Sequence, residues 1–146
     1  MTKTALFICT GNYYRSRFAE IYFNDLALKM KLNWKADSRG LEASAGRNKG
    51  PISKFALERL TQHGLSAGNP IRFPLQLEEM DLQEATLIVA INRVEHQPMM
   101  EKQFPAWAGK VKYWDVADLD VTNAENALPV IEEQIRSLVE KIRPAL

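Results

Sequence analysis

A lone cysteine and a nearby arginine are the residues of this sequence best suited to chemistry. Five residues separate Cys9, the single cysteine of the chain, from Arg15, and Ser16 follows directly. A thiolate is a strong nucleophile, and a guanidinium offers a planar fork that matches two oxygens of a phosphate. A hydroxyl at Ser16 is suited to a hydrogen bond with the sulfur. This combination predicts nucleophilic attack on a bound oxyanion.

The flanking patterns place these residues in a loop between a strand and a helix. Residues Ala5 to Ile8 form an apolar run without alternation, which is typical of a central parallel strand covered on both faces. From Arg15 onward, apolar residues recur every fourth position and predict an amphipathic helix: Phe18, Tyr22, Leu26 and Met30. The loop therefore lies at a helix N-terminus, where N–H groups and the helix dipole favour an anion.

The loop sequence itself is suited to binding a tetrahedral dianion. Successive peptide N–H groups can point inward and form a nest, while Gly11 lacks a Cβ and Asn12 tolerates a positive φ. The same positive surroundings favour the thiolate form of Cys9. The alternative, a buried cysteine and a surface arginine without chemistry, is disfavoured by the flanking strand and helix. The predicted phosphate-binding residues are Thr10, Gly11, Asn12, Tyr13, Tyr14, Arg15 and Ser16.

This run, together with Ala19 and Glu20, resembles the signature of the low-molecular-weight protein tyrosine phosphatase family. The family loop is Cys, five residues, Arg and Ser, and the family also includes thioredoxin-coupled arsenate reductases and bacterial protein-arginine phosphatases. The segment from Ala43 to Gly46 is similar to the Ser-Ala-Gly that closes the second strand of the family. The resemblance implies hydrolysis of a phosphomonoester through a phosphocysteine intermediate, with no metal and no cofactor.

The resemblance also implies a general acid on the loop after the fourth strand, where the family has an aspartate followed by proline. This chain offers Asp115, Asp118 and Asp120, and proline follows none of them. Counted from Trp114, the Trp-x-x-x-Asp spacing of related bacterial sequences selects Asp118, with Asp115 as the reserve. The alternative is that all three are solvated loop carboxylates. The predicted catalytic set is therefore Cys9, Arg15 and Asp118.

Two departures from the family pattern bear on substrate and activity. Tyr14 stands where many members have a second cysteine, so the chain lacks the thiols through which thioredoxin-coupled arsenate reduction passes its oxidation along. Tyr13 replaces a small branched residue, and the acid loop lacks the tyrosine pair that stacks on phosphotyrosine in many members. Specificity for tyrosine or arginine stays open. Basic Arg47 and Lys49 could meet acidic groups near the substrate phosphate, but two basic loop residues are more often solvated charges without a role.

Composition bounds the class of protein. The 146 residues carry 19 Lys and Arg against 18 Asp and Glu, a net charge of +1 that favours neither a nucleic acid nor an anionic membrane as partner. One cysteine suits a reducing compartment, and no apolar run is long enough for a signal peptide or a membrane span. We expect a cytoplasmic protein with a single domain over residues 1–146. Its partners would be a phosphorylated protein or small phosphoester, with inorganic phosphate as the product.

The remaining pattern predicts an α/β fold, a three-layer sandwich with a central four-stranded parallel sheet. Further strands are predicted at residues 86–91 and 110–114, and a poorly patterned edge strand between Lys35 and Ser44. Helices are predicted from Pro51 to Gly64, from Asn92 to Phe104 with a break near Pro98, and near Pro129; a helical turn is predicted over 75–80. His63 is expected beside a helix C-terminus, and His96 in a surface or capping role.

The function predicted from these observations is a cysteine-dependent phosphatase, acting on phosphotyrosine in proteins or on another phosphoester. One alternative is a phosphate-recognition module on the same scaffold, in which Tyr13, Tyr14 or the altered acid loop weakens catalysis. A less favoured alternative is an arsenate reductase that uses an external thiol.

Overall fold

The chain folds around a parallel sheet covered by helices on both faces. The structure is a computed structural model that describes residues 2–43, 48–117 and 123–144. Within these residues the sheet has four strands: β1 (Lys3–Cys9), β2 (Trp34–Gly40), β3 (Leu87–Ala90) and β4 (Lys112–Tyr113). Their order in the sheet is β2-β1-β3-β4, and every neighbouring pair is parallel. The described helices are α1 (Arg15–Lys29), α2 (Lys54–Gln62), α3 (Glu79–Glu84), α4 (Arg93–Gln103), α5 (Pro105–Ala108) and α6 (Ala124–Ile142).

Strand β1 sends alternate side chains into two separate cores, which explains its unbroken apolar sequence. Ala5 and Phe7 pack with α1, α2 and α6 on one face, whereas Leu6 and Ile8 pack with α3, α4 and α5 on the other. Each of these four side chains is at most 2 % exposed. A central strand buried on both faces is the arrangement that parallel sheets require. The predicted three-layer α/β fold is confirmed, and β2 lies at the predicted edge.

The register of the strands brings their carboxyl ends together beside the cysteine. Cys9, the last residue of β1, is opposite Gly40, the last residue of β2, and Ile8 is opposite Ala90 of β3. In parallel sheets ligands bind at this edge, where strand ends and helix N-termini meet. The segments that follow β1, β2 and β3 therefore surround one site.

Several predicted elements differ from the observed ones. Helix α4 continues through Pro98. Proline has no N–H to donate to the carbonyl of Val94, but Val94 is 82 % exposed, so water can hydrogen-bond to that carbonyl instead. Helix α6 begins at Ala124, capped by the Asn123 side chain, so Pro129 lies inside the helix and not at its start. The helical turn predicted over 75–80 is replaced by a bridge between Gly40 and Gln76, and α3 begins only at Glu79.

Candidate active site

The thiol of Cys9 lies at the base of the loop that joins β1 to α1. Cys9 is 2 % exposed, and its Sγ is 2.8 Å from the Oγ of Ser16 in the first turn of α1. Ser16 is itself fully buried and receives a 2.8 Å hydrogen bond from Nδ2 of Asn12. A hydroxyl that accepts from Asn12 is arranged to donate to sulfur, which stabilises a thiolate. The loop thus brings Cys9 and Ser16 together as predicted from the sequence.

Asn12 supplies the turn that the loop needs. Its φ of 52° lies in the left-handed region, which asparagine tolerates better than most residues. The side chain is fully buried and uses both ends: Nδ2 donates to Ser16 and Ser38, while Oδ1 accepts from the Arg72 guanidinium and from the N–H of Leu75. Four hydrogen bonds therefore fix the strained residue on which the loop turns.

A second layer of polar residues supports Asn12 from α1 and β2. The Ser38 hydroxyl donates to Glu20 at 2.5 Å, and the Arg72 guanidinium donates to Glu20 at 3.1 Å and to the Ser38 carbonyl at 3.0 Å. Burial raises the pKa of Glu20, although its bonds to Ser38 and Arg72 lower it. This network ties α1, β2 and the segment after α2 to the loop.

Two glycines allow the loop to approach its neighbours closely. A Cβ on Gly40 would lie 2.7 Å from the carbonyl oxygen of Thr10 and 2.9 Å from the nitrogen of Asn12. A Cβ on Gly11 would lie 2.8 Å from the side-chain amide of Asn48. Within the described residues, the N–H groups of Gly11, Asn12 and Tyr13 donate no hydrogen bond to the protein. These donors are therefore available to an anion, as a nest requires.

The guanidinium of Arg15 is buried beside a carboxylate that sequence analysis did not select. Arg15 is 2 % exposed; its Nη2 is 2.8 Å from Oε2 of Glu95, and its Nη1 is 3.2 Å from Oε1. Nη1 also donates to the carbonyl of Val116 at 2.9 Å. The plane of the guanidinium is thus fixed from the side of α4 and of the segment after β4.

Glu95 accepts hydrogen bonds from three different side chains. Besides Arg15, these are the Thr10 hydroxyl and the ring of His96, whose Nε2 is 3.1 Å from Oε2. Burial alone would raise the pKa of Glu95, but the bonds from His96, Arg15 and Thr10 outweigh it and hold the pKa well below its ordinary value. Glu95 is therefore ionised throughout the neutral pH range.

A cavity of about 630 Å³ opens over Cys9. One side is the loop between β1 and α1, including Gly11, Tyr13, Tyr14 and Arg15, and the other side is the segment that leads into α2: Asn48, Lys49, Gly50, Pro51, Ile52, Ser53, Lys54 and Phe55. The Tyr13 hydroxyl donates to the carbonyl of Lys49 at 2.5 Å and so joins the two sides. Both tyrosines of the loop line this cavity.

Of the three candidate acids, the structure describes only Asp115. Asp118 and Asp120 lie outside the described residues, as does Arg47. Asp115 is exposed and lines a separate cavity beside α6 with Lys112 and Gln134. Asp115 is not among the described residues that line the cavity over Cys9.

The two histidines have structural partners that the sequence did not indicate. His63 is the C-cap residue of α2, followed by Gly64 at a φ of 73°, and its Nε2 lies 2.8 Å from Glu132 of α6. His96 is fully buried, so a surface role is wrong; its Nδ1 accepts the N–H of Asn92, the N-cap residue of α4.

The contact of Glu95 with Arg15 and that of Arg72 with Asn12 join residues 80 and 60 positions apart in the chain, which local patterns cannot reveal.

Solved structures with the same fold define the class of protein to which this fold and site belong. The crystal structure of a low molecular weight protein tyrosine phosphatase from T. tengcongensis has a TM-score of 0.81 and 28 % identity, covering 97 % of this chain and 100 % of that one. YfkJ from Bacillus subtilis has a TM-score of 0.81 and 26 % identity, covering 99 % and 98 %. The arrangement is that of a low molecular weight phosphatase.

Sequence comparison gives the family directly. The model of the family "Low molecular weight phosphotyrosine protein phosphatase" matches residues 4–145, and the chain belongs to this family. The protein-arginine-phosphatase of Bacillus subtilis (strain 168) is 32 % identical over 106 residues, which are 73 % of this chain and 66 % of the length of that protein. The chain is accordingly an enzyme of the cysteine-based phosphatase type, and neither the recognition module nor the arsenate reductase is favoured.

Among the described residues, none of the helices has the length and apolar character needed to cross a membrane.

Proposed function

We propose that the protein hydrolyses phosphotyrosine in proteins, with Cys9 as nucleophile. The observation that carries the proposal is that Cys9 lines the cavity with its Sγ 2.8 Å from the Ser16 hydroxyl, in a loop whose N–H groups at Gly11, Asn12 and Tyr13 donate no hydrogen bond to the described residues. These N–H groups and the Arg15 guanidinium are suited to the equatorial oxygens of a phosphoryl group in the transition state.

The reaction has two displacement steps at phosphorus. In the first, the Cys9 thiolate attacks phosphorus in line, the S–P bond forms, and the P–O bond to the leaving group breaks while Asp118 donates a proton to the leaving oxygen. In the second, a water molecule gives its proton to Asp118 and attacks phosphorus, the S–P bond breaks, and inorganic phosphate leaves with the thiolate restored. The role of Asp118 rests on the family resemblance and its spacing from Trp114.

The walls of the cavity favour an aromatic phosphoester. Tyr13, Pro51, Ile52 and Phe55 offer apolar surface to a phenyl ring, and Phe55 is 38 % exposed at the mouth. No carboxylate is present among the described residues that line the cavity, whereas Lys49 and Lys54 are. The guanidinium of a phosphoarginine would be repelled by these cations, so phosphotyrosine is the better match.

The test of the proposed chemistry is hydrolysis of p-nitrophenyl phosphate with EDTA present, comparing the parent protein with Cys9→Ser. We expect turnover by the parent, a loss of more than about 1,000-fold in Cys9→Ser, and retained binding of inorganic phosphate because the nest is backbone. Turnover that persists in Cys9→Ser, or that requires a divalent metal, would contradict the proposal.

The test of the substrate is release of phosphate from peptides that carry phosphotyrosine or phosphoarginine in the same sequence. We expect a higher kcat/KM for phosphotyrosine, and a higher value still when acidic residues flank it, because Lys49 and Lys54 border the cavity. Reversing the charge in Lys49→Glu and Lys54→Glu should remove the preference for acidic flanks, whereas Lys102→Glu on the exposed surface of α4 serves as the matched control. A higher kcat/KM for phosphoarginine would contradict the assignment.

A further inference from the structure

Arg15 carries a buried charge that is paired with the carboxylate of Glu95. The side chain is 2 % exposed, and Glu95 meets its Nη1–Nη2 end with two contacts of 3.2 and 2.8 Å. A buried guanidinium requires a paired anion because the cost of removing its charge from water is large. A two-point contact also fixes orientation, since it restrains rotation of the planar group as well as its position.

The carboxylate of Glu95 is itself held in place by residues of two elements. Thr10, the first residue after β1, donates its hydroxyl to Oε2, and His96 approaches the same oxygen at 3.1 Å. The Nδ1 of His96 accepts the N–H of Asn92 at 3.0 Å, which leaves the ring proton on Nε2, on the side that faces Glu95 and Thr10. The histidine tautomer is thus set by the N-terminus of α4.

We infer that Glu95, oriented by Thr10 and His96, is a positioning residue that aligns the Arg15 guanidinium for the phosphoryl group. The contacts form a chain from the N-cap of α4 through His96 and Glu95 to Arg15, and the Val116 carbonyl limits the guanidinium from a second side. The inference rests on the proposed function, because it assigns Arg15 to the oxygens of the transferring group.

The experiment compares Glu95→Gln and Glu95→Asp with Glu101→Gln, which alters an exposed carboxylate on the same helix. Glutamine keeps the shape of the side chain but removes its charge and turns an NH2 group toward donors, whereas aspartate keeps the charge. We expect Glu95→Gln to lower kcat for p-nitrophenyl phosphate about 10- to 100-fold. KM should change less, Glu95→Asp should restore part of the rate, and Glu101→Gln should match the parent.

A coupling measurement separates alignment of Arg15 from a general effect on the fold. In a Cys9→Ser background, inorganic phosphate is titrated by calorimetry into forms with and without Glu95→Gln, each carrying either Arg15 or Arg15→Lys. The change in phosphate affinity caused by Glu95→Gln should be present with Arg15 and reduced to less than about 2-fold with Arg15→Lys. An equal effect in both backgrounds would show that Glu95 acts elsewhere and would overturn the inference.

Failure of the inference and failure of the proposed function give different results. If the parent shows no Cys9-dependent turnover, the proposed function fails, whereas an active parent with a parent-like kcat in Glu95→Gln overturns only the positioning role. Thermal unfolding of each variant is recorded first, and rates are measured below its transition. Should Glu95→Gln fail to fold, Glu95→Asp decides the question, because an unchanged kcat in that shorter side chain would equally overturn the inference.

Discussion

Two carboxylates support the phosphate loop from helices on opposite faces of the sheet, and their environments differ in kind. Burial raises the pKa of Glu20 on α1, and this carboxylate contacts Ser38 and Arg72, which in turn contact the side chain of Asn12 at the turn of the loop. Hydrogen bonds lower the pKa of Glu95 on α4, and this carboxylate contacts the Arg15 guanidinium directly. The first carboxylate stabilises the shape of the loop, and the second sets the direction of its functional cation. Substitutions of the residues connected to Glu20, which are Asn12, Ser38 and Arg72, should therefore lower the free energy of unfolding as well as the rate.

The largest effect on the Glu20 side is expected from Asn12→Ala, which removes four hydrogen bonds and leaves alanine at a φ of 52°. We expect a loss of about 3 kcal/mol in the free energy of unfolding and about 100-fold in kcat. Asn12→Gly, which accepts the φ without strain, should recover about 1 kcal/mol of stability but little of the rate. Urea unfolding and p-nitrophenyl phosphate kinetics measure the two quantities; equal stability of the two variants would contradict the strain argument.

The next effect is expected from Arg72→Met, which takes the cation away from Glu20 and Asn12. We expect a loss of about 2 kcal/mol in the free energy of unfolding, because the partly buried Glu20 keeps only the Ser38 hydroxyl and the longer 4.0 Å ion pair with Arg17 among its described contacts. Arg93→Met, at an exposed position on α4, is the matched control and should cost less than about 0.5 kcal/mol. Urea unfolding of both variants decides; similar losses would show that Arg72 contributes no more than a surface arginine.

A smaller effect is expected from Ser38→Ala. The hydroxyl donates to Glu20 and accepts from Asn12 and Arg72. Without it, the Asn12 amide still donates to Ser16, and the Arg72 guanidinium still donates to Asn12. We expect a loss of about 1 kcal/mol in stability and a change in kcat of less than about 5-fold. A loss of rate as large as that of Asn12→Ala would place Ser38 in the chemistry itself and would remove the distinction between the two sides of the loop.

The smallest effect is expected in the pH dependence of stability, where the two carboxylates should act with opposite sign. Because the pKa of Glu95 is lowered on folding, its contribution is present above its unfolded pKa of about 4.3 and is lost as pH falls. Because the pKa of Glu20 is raised, its contribution is full below that value and declines as pH rises through the folded pKa. Unfolding free energies of Glu95→Gln and Glu20→Gln between pH 3 and 8 should therefore diverge from the parent in opposite directions. Parallel curves would contradict the opposite shifts.

The sequence predicted the site where local pattern and chemistry coincide. The apolar run before Cys9 and the four-residue period after Arg15 place both residues at the end of a strand and the start of a helix, where the structure has them. The positive φ of Asn12 followed from its residue type. These features depend on neighbours within one turn of chain, and local sequence carries that information.

Features that depend on distant contacts were not predictable in the same way. Glu95 and Arg72 reach the loop only because β3 and β2 flank β1, and an isolated glutamate or arginine in a polar segment gives no signal of this. Gly40 at the end of β2 is required by a similar distant contact, because a side chain there would collide with the carbonyl oxygen of Thr10. Pro98 suggested a helix break, but α4 continues because Val94, whose carbonyl loses its N–H donor, is exposed to solvent.

The single thiol has a consequence for how the protein meets oxidants. Peroxide converts a reactive thiolate to a sulfenic acid, which many proteins recover by forming a disulfide with a nearby cysteine. In these 146 residues Tyr14 lines the cavity beside Cys9 and no second cysteine exists, so that recovery within the chain is closed. Reduction of a sulfenic acid at Cys9 to the thiol therefore depends on a thiol from another molecule, and the rate of that reaction competes with further oxidation to the sulfinic acid.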